Sequence, residues 1–141
     1  MHIQQLSIFL EDRSGRLTEL TRILAENDVN IIALNLAETT DYGIVRMVVG
    51  RPVLAKKALE KAGFSIRLTD VACVNMADEP GALHQVLKVL TEAGFNVDYM
   101  YAFSNNDVAL AVIRTEDIPG VTRLLEEKGI RLLSQCDIYQ L

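Results

Sequence analysis

The sequence predicts an α+β protein made of two consecutive βαββαβ units, and three observations support this fold class. The 141-residue chain nearly repeats itself at a spacing of 66. Within each copy, some segments alternate apolar and polar residues, as half-buried strands do, whereas others place apolar residues every three to four positions, as amphipathic helices do. Glycines and prolines lie between these segments, where a chain turns.

The internal repeat is clearest at glycines and at apolar helix positions. At a spacing of 66, the segment Asp12–Leu17 aligns with Asp78–Leu83. Further along, Ile44–Val49 aligns with Val108–Ile113 at a spacing of 64, which predicts that two residues are missing from the second copy near the turn at 39–42. Because the matches cluster at structurally demanding positions, we infer that the chain arose by duplication.

Each copy is predicted to begin with a strand followed by a helix. In the first copy, Leu6–Leu10 alternates at the period of a half-buried strand. In each of the following segments, Leu17–Leu24 and Leu83–Leu90, apolar residues recur every three to four positions, as they do in a helix with one buried face. The two copies therefore share a strand-to-helix corner.

The remaining elements follow in the same order in both copies. A second strand, a turn and a nearly all-apolar third strand precede a second helix. That helix has a proline in its first turn, where a missing N–H costs least, and a glycine after its end, where a C-cap favours positive φ. A last strand closes each unit. The second strands are predicted at 30–38 and 96–104, and the third strands at 43–49 and 107–113. The second helices are predicted at 52–62 and 117–128.

The order βαββαβ is that of the ferredoxin-like unit, an antiparallel sheet with two helices on one face. We expect one such unit in residues 1–69 and a second in residues 70–141. The segment Ser65–Met76 contains no glycine or proline, so the last strand of the first copy is predicted to continue into the first strand of the second. A unit of about 66 residues is marginally stable alone, which predicts that the two domains share buried surface.

Charge and composition exclude several classes of function. The net charge is −5, and all of it lies in the second half, since residues 1–70 carry nine basic and nine acidic side chains and residues 71–141 carry five and ten. An acidic chain does not suit binding to nucleic acid, which needs a basic surface. No apolar run has the length of a membrane helix and the N-terminus does not resemble a signal peptide, so we expect a cytoplasmic protein without membrane contact.

Catalytic and metal-binding patterns are absent from the sequence. It contains no phosphate-binding loop, dinucleotide-binding fingerprint, nucleophile elbow or zinc-protease motif. Its two histidines, His2 and His84, have no nucleophile at a diagnostic spacing. Cys73 and Cys136 form no metal-binding pair and are expected to be buried thiols on strands in a reducing compartment. The sequence therefore predicts a binding protein with no cofactor and no metal, rather than an enzyme.

The corner between the first strand and the first helix of each copy is the most informative segment for function. Gly15 and Gly81 allow positive φ or close approach of a ligand to the backbone. The helix that follows presents unpaired N–H groups and partial positive charge, which suit a small carboxylate. In an alternative interpretation, the polar residues Asp12, Ser14 and Asp78 only cap the helices and turn the chain.

This corner resembles the motif of the ACT domain, the small-molecule-sensing module of amino-acid metabolism. The motif Asp-x-Pro-Gly-x-Leu, followed by a helix and an Asn-[Ile/Val] pair, reads Asp78–Leu83 with Asn96-Val97 in the second copy. In the first copy it reads Asp12–Leu17 with Asn30-Ile31, where Ser14 replaces the usual proline and Arg16 adds a cation beside the glycine. The resemblance covers the whole chain as two consecutive domains.

The resemblance implies that a free amino acid binds where ACT domains meet. Backbone amides of the corner would bind its carboxylate, and side chains at the start of the second strand would contribute as well. Carried over residue by residue, it implies ligand contacts at Asp12, Arg13, Ser14, Gly15, Arg16, Asn30 and Ile31 in one copy, and at Asp78, Glu79, Pro80, Gly81, Ala82, Asn96 and Val97 in the other.

The resemblance also implies a homodimer that passes ligand occupancy to a metabolic enzyme partner. In the alternative, the chain only docks or dimerises without a ligand of its own, as in the small regulatory subunit of acetolactate synthase. Because the two corners differ in residues and in charge, we expect their sites to be unequal. A further set of residues, Tyr99, Tyr101 and Phe103, alternates along one strand and is interpreted as a packing face, with ligand lining as the alternative.

Overall fold

The computed structural model describes residues 3–11, 13–38, 42–106 and 108–139. The first half of the chain contains four strands, the last of which runs on into the second half, and two helices: β1 (Ile3–Glu11), α1 (Arg16–Glu26), β2 (Ile31–Glu38), β3 (Tyr42–Val49), α2 (Pro52–Lys61) and β4 (Ser65–Ala77). The second half adds α3 (Ala82–Glu92), β5 (Tyr99–Asn105), β6 (Val108–Arg114), α4 (Ile118–Glu127), β7 (Arg131–Leu132) and α5 (Gln135–Tyr139). This order confirms the predicted fold class of two βαββαβ units.

The chain divides into two compact units. The N-terminal unit comprises Gln4–Thr69 together with the described residues from Asp137 to Tyr139, and the C-terminal unit comprises Asp70–Cys136 together with Ile3. The division between Thr69 and Asp70 falls inside β4, so this one strand contributes residues to both units.

The two units have the same strand order. It is β2-β3-β1-β4 in the N-terminal unit and β5-β6-β4-β7 in the C-terminal unit. The pairs β1–β3, β2–β3, β4–β6 and β5–β6 are all antiparallel. In each unit the first and third strands therefore lie side by side at the centre, as expected for a βαββαβ chain.

Each unit has its own apolar core between the sheet and its two helices. In the N-terminal unit, alternate residues of β1 and β3 pack with apolar residues of both helices, such as Leu20 and Leu24 of α1 and Leu59 of α2. In the C-terminal unit, Leu90 of α3 and Leu125 of α4 occupy the corresponding core. Because both helices of a unit contribute to one core, they cover the same face of its sheet.

The strand register corrects the predicted two-residue deletion in the second copy. Leu6 pairs with Met47 in the N-terminal unit, and Ala72 pairs with Ile113 in the C-terminal unit. Ala72 lies 66 residues after Leu6, and Ile113 lies 66 residues after Met47. The spacing of 66 between the two copies therefore continues through the third strand. The expected spacing of 64 was wrong, and the hairpins of the two copies are equal in length.

The two cysteines differ in their surroundings. Cys73 lies on β4 with 1% of its surface exposed, and burial raises the pKa of its thiol to about 12. It therefore stays protonated and unreactive at neutral pH. Cys136 was expected to be buried on a strand, but it is exposed on the short helix α5. The expected last strand of the second copy is only the two residues of β7.

None of the helices in the described part of the chain is both long and apolar enough to span a membrane.

Candidate functional site

The two strand-to-helix corners have the same backbone geometry. Gly15 precedes α1 with φ 90°, and Gly81 precedes α3 with φ 89°. No side chain caps either helix in the part of the chain that the structure describes, so the proposed capping by Ser14 or Asp78 is not observed. Asp12 lies outside the described residues. In α3 the first amide is occupied, because the Ala82 N–H donates to the Glu79 carbonyl at 3.3 Å. Among the described residues no group accepts from the first amides of α1, so these are available to a ligand.

Replacing either corner glycine by alanine is expected to lower the free energy of unfolding by about 1–2 kcal/mol, because an L-residue is strained at this φ. A Cβ at Gly15 or Gly81 meets no atom of the described residues within 4 Å, so the loss would come from the backbone and not from a clash. Gly50 also has open space where a Cβ would lie but lacks positive φ, which makes Gly50→Ala the matched control. Urea denaturation measures all three; a loss no larger than that of Gly50→Ala would contradict the expected strain.

A cleft of about 440 Å³ lies beside the first corner, within the N-terminal unit. We call it the corner cleft. Its walls come from the end of β1, the corner itself, the start of α1 and the hairpin between β2 and β3. The lining residues are Leu10, Glu11, Arg13, Gly15, Arg16, Leu17, Leu36, Glu38, Tyr42 and Gly43.

A second cleft of about 330 Å³, the side cleft, lies next to it. The two clefts share Leu10, Glu11, Arg16 and Tyr42. The side cleft is completed by Phe9 from β1 and by residues at the start of β4, namely Gly63 and Ser65. Arg16 thus lies on the boundary between the two clefts.

Arg16 is a buried cation that is only partly satisfied. The residue is 8% exposed, and its Nη1 donates to Glu19 Oε2 at 2.9 Å. Its guanidinium carbon lies 4.1 Å from the ring centroid of Phe64, a cation–π contact. Its Nε is buried and has no hydrogen-bond partner among the residues that the structure describes. A buried N–H of a charged group without an acceptor is unfavourable. An oxygen atom of a ligand would supply the acceptor that this N–H lacks.

Other charged groups surround this cation. Arg13 lies 3.8 Å from Glu11 in an exposed ion pair, and Glu38 lines the corner cleft at the end of β2. The cleft therefore carries two arginines and two carboxylates within one small volume. Such a mixed lining suits a ligand that carries both a carboxylate and an ammonium group.

The corresponding corner of the C-terminal unit has different chemistry. Asp78, Glu79, Pro80 and Gly81 are all exposed. At the position of Arg16 this copy has Ala82, so the corner has no guanidinium. The two corners share a backbone conformation and differ in the group that would hold a carboxylate.

The predicted residues at the strand starts lie away from the corners. In the N-terminal unit, β1 ends with Glu11 paired to Tyr42, whereas Ile31 pairs with Val49 at the other end of β3. Eight residues of strand separate these ends by roughly 23 Å. One small ligand therefore does not reach both the corner and the Asn30-Ile31 pair of the same unit, where the Asn30 carbonyl accepts from the Gly50 N–H at 3.0 Å.

In the C-terminal unit, the segment just before β5 forms part of a distal cleft of about 320 Å³. Asn96 lines this cleft with Asp98, Glu116 and Asp117, whereas Val97 packs against the core. Asp117 also accepts a hydrogen bond from the Gly120 N–H at 3.0 Å and so caps α4. Since its charged lining is acidic, the distal cleft does not suit a carboxylate.

Sequence reasoning missed several residues of the corner cleft and its surroundings. They come from β2, β3, α1 and the start of β4, and a comparison of the copies at a spacing of 66 could have singled them out. The residues Glu19, Leu36, Glu38, Tyr42 and Phe64 correspond to Gln85, Ala102, Ser104, Val108 and Ile130. All five positions carry a different residue in the second copy, and this difference distinguishes the first copy from the second.

No group of three or more His, Cys, Asp or Glu side chains in the described ranges is arranged to hold a metal ion. His84 is exposed on the first turn of α3.

Comparison with known proteins places the fold. A family model described as an ACT domain pair matches residues 1–141. A crystal structure of a protein from Bacteroides thetaiotaomicron is similar over 100% of this chain and 98% of its own, with 45% identity and a TM-score of 0.95. No curated protein matches the chain.

Two more distant structures are regulatory subunits of aspartate kinase. That of Thermus thermophilus, in a ligand-free form, has 18% identity and a TM-score of 0.64, with 89% of this chain and 91% of that chain covered. That of Thermus flavus has 17% identity and a TM-score of 0.60, with 88% and 90% covered. At these identities they establish the shared fold.

Proposed function

Because the chain belongs to the ACT-domain family, as a pair of ACT domains, we propose that it is a regulatory protein that binds a free amino acid at the corner cleft. ACT domains are regulatory modules, and the chain is not an enzyme.

The observation that carries the proposal is the buried and incompletely paired guanidinium of Arg16. Within the described ranges its Nε has no acceptor, and the carboxylate of Glu19 accepts from its Nη1. An arginine presents donors in a planar fork that matches a carboxylate. The α-carboxylate of an amino acid would supply the missing acceptor after a small shift of the side chain.

The rest of the corner complements this anchor. The backbone at Gly15 opens onto the cleft, and the start of α1, which no described side chain caps, adds donors and partial positive charge near the same position. Arg13 adds a second cation, and the exposed carboxylates of Glu11 and Glu38 offer acceptors to the α-ammonium group. These roles match the two ends of a zwitterion.

The proposed sites of the two copies are unequal. The corner at Gly81 has the same backbone conformation, but the first amide of its helix already donates to the Glu79 carbonyl, and the corner lacks a guanidinium. We therefore propose that the first corner binds the amino acid more tightly. The ligand contacts expected at Asp78, Glu79, Pro80, Gly81 and Ala82, and at the strand starts, remain predictions.

Regulation requires that the ligand bind one arrangement of the protein better than another. In our proposal the chain forms a homodimer. Ligand binding in the cleft changes the surface of this homodimer that contacts a metabolic enzyme. The movement would begin at Arg16, because a carboxylate on its guanidinium competes with Glu19 and Phe64 for the same side chain.

Thermal unfolding in the presence of each of the twenty amino acids tests the proposal. We expect at least one to stabilise the protein by about 2.7 kcal/mol at a hundredfold excess over its Kd. Arg22→Met, which removes an exposed arginine of the same helix, should leave this stabilisation intact. If no amino acid stabilises the protein at millimolar concentration, and the chain copurifies with a larger subunit regardless of ligand, it is a docking subunit instead.

A further inference from the structure

The apolar surface around Arg16 narrows the class of effector. Resting on the amino-acid binding proposed above, we propose that the effector carries a large apolar side chain, above all an aromatic one, and that Phe9, Leu36 and Tyr42 select it.

Three large apolar side chains are exposed around the two clefts, with Leu36 on the helix-facing side of the sheet and Phe9, which alternates with the core residues Ile8 and Leu10, on its other side. Phe9 is 48% exposed, Leu36 is 51% exposed and Tyr42 is 42% exposed. The rings of Phe9 and Tyr42 pack against each other at a centroid distance of 5.5 Å and an interplanar angle of 56°. Exposed apolar residues grouped at a cleft are typical of a binding surface, because covering them releases water from apolar area.

These side chains flank the proposed carboxylate anchor on both sides. Leu36 and Tyr42 line the corner cleft, and Phe9 and Tyr42 line the side cleft. Arg16 lies on the boundary of both. A ligand held there by its carboxylate would therefore direct its side chain onto apolar surface whichever cleft it enters.

The charges of the cleft disfavour a charged side chain on the ligand. Its two arginines and two carboxylates are already assigned to the α-carboxylate and the α-ammonium group. An acidic or basic side chain would therefore lose its hydration next to Leu36 and Tyr42 without gaining a charged partner of its own. An uncharged, apolar side chain avoids this penalty.

The second copy shows that the fold does not require this apolar surface. At a spacing of 66, the counterparts of Phe9, Leu36 and Tyr42 are Asn75, Ala102 and Val108. Both aromatic rings and the exposed leucine are absent from the copy that also lacks the arginine. The anchor and the apolar surface therefore occur together, as expected if one ligand uses both.

Isothermal titration of the full chain with single amino acids tests this inference. We expect L-phenylalanine to bind at least about tenfold more tightly than L-alanine, L-aspartate or L-lysine, since burying an aromatic side chain is worth about 1.5–3 kcal/mol and about 1.4 kcal/mol corresponds to tenfold in Kd. Leu36→Ser should weaken phenylalanine binding about fivefold to tenfold and leave the weak binding of alanine unchanged.

Leu34 provides the matched control on the same strand. It is 41% exposed, and it shares the helix-facing side of β2 with Leu36, since their partners Met47 and Val45 both belong to the core. Leu34→Ser should leave phenylalanine affinity unchanged. Equal losses in the two variants, or alanine, aspartate or lysine binding as tightly as phenylalanine, would overturn the inference while amino-acid binding stands. Absence of binding by any amino acid would overturn the proposed function as well.

Discussion

Arg16→Met is expected to weaken amino-acid binding by about tenfold to a hundredfold while the ligand-free protein remains as stable as the original, within about 1 kcal/mol. The affinity falls because a hydrogen bond to a charged group contributes about 1.5–3 kcal/mol. Stability is retained because methionine fills the space of a buried charge whose Nε has no hydrogen-bond partner among the described residues, and the cost of desolvating that charge disappears with it. Glu19, 36% exposed on its side chain, stays hydrated after the change.

Calorimetric titration and urea denaturation measure the two halves of this prediction. The control is Arg22→Met, because Arg22 is 56% exposed on its side chain and pairs with Glu26 at 2.8 Å one turn along the same helix. It should change neither affinity nor stability, since exposed pairs contribute little. If Arg16→Met bound the amino acid normally, the carboxylate would lie elsewhere. If it unfolded the protein, the role of Arg16 would be structural.

Leu24→Ala is expected to destabilise the N-terminal unit by about 2–5 kcal/mol, the largest effect on stability that we predict. Leu24 is a residue of α1, the helix that begins with Arg16, and its side chain is fully buried in the core of the N-terminal unit. Truncating a buried leucine removes apolar contacts and leaves a cavity that the surrounding core only partly fills. The midpoint of urea denaturation should fall accordingly.

The duplication supplies a matched variant in the other unit. Leu90 is the counterpart of Leu24 at the spacing of 66. It is 1% exposed in the core of the C-terminal unit, so Leu90→Ala should have an effect of the same size. Leu54→Ala, at a position 38% exposed on α2, should change stability by no more than about 0.5 kcal/mol. A Leu24→Ala variant as stable as Leu54→Ala would contradict the core described for the N-terminal unit.

The strand register shows where reasoning from the sequence reached its limit. Side chains alternate with a period of two along a strand, so a shift of two residues keeps every side chain on the same face. Apolar patterns therefore fit the spacings of 64 and 66 equally well. The pairs Leu6–Met47 and Ala72–Ile113, which are ladder partners, select 66.

The end of the chain is a second such limit. The apolar residues around Cys136 are compatible with a strand, yet they form the short helix α5, and β7 has only two residues. A short apolar segment has no intrinsic preference strong enough to decide between the two, and tertiary contacts decide instead.

The sequence by itself determined the duplication, the βαββαβ order and the glycine corners, because these depend on local periodicity and on residues with special backbone freedom. The tertiary structure alone decided what surrounds the first corner. Leu36, Tyr42 and Phe64 are all far from Arg16 along the chain, so no local pattern relates them to it. They meet because the antiparallel sheet brings the end of β1, the hairpin after β2 and the start of β4 together at one end of the strands. At that end of the sheet a buried cation lies beside exposed apolar side chains.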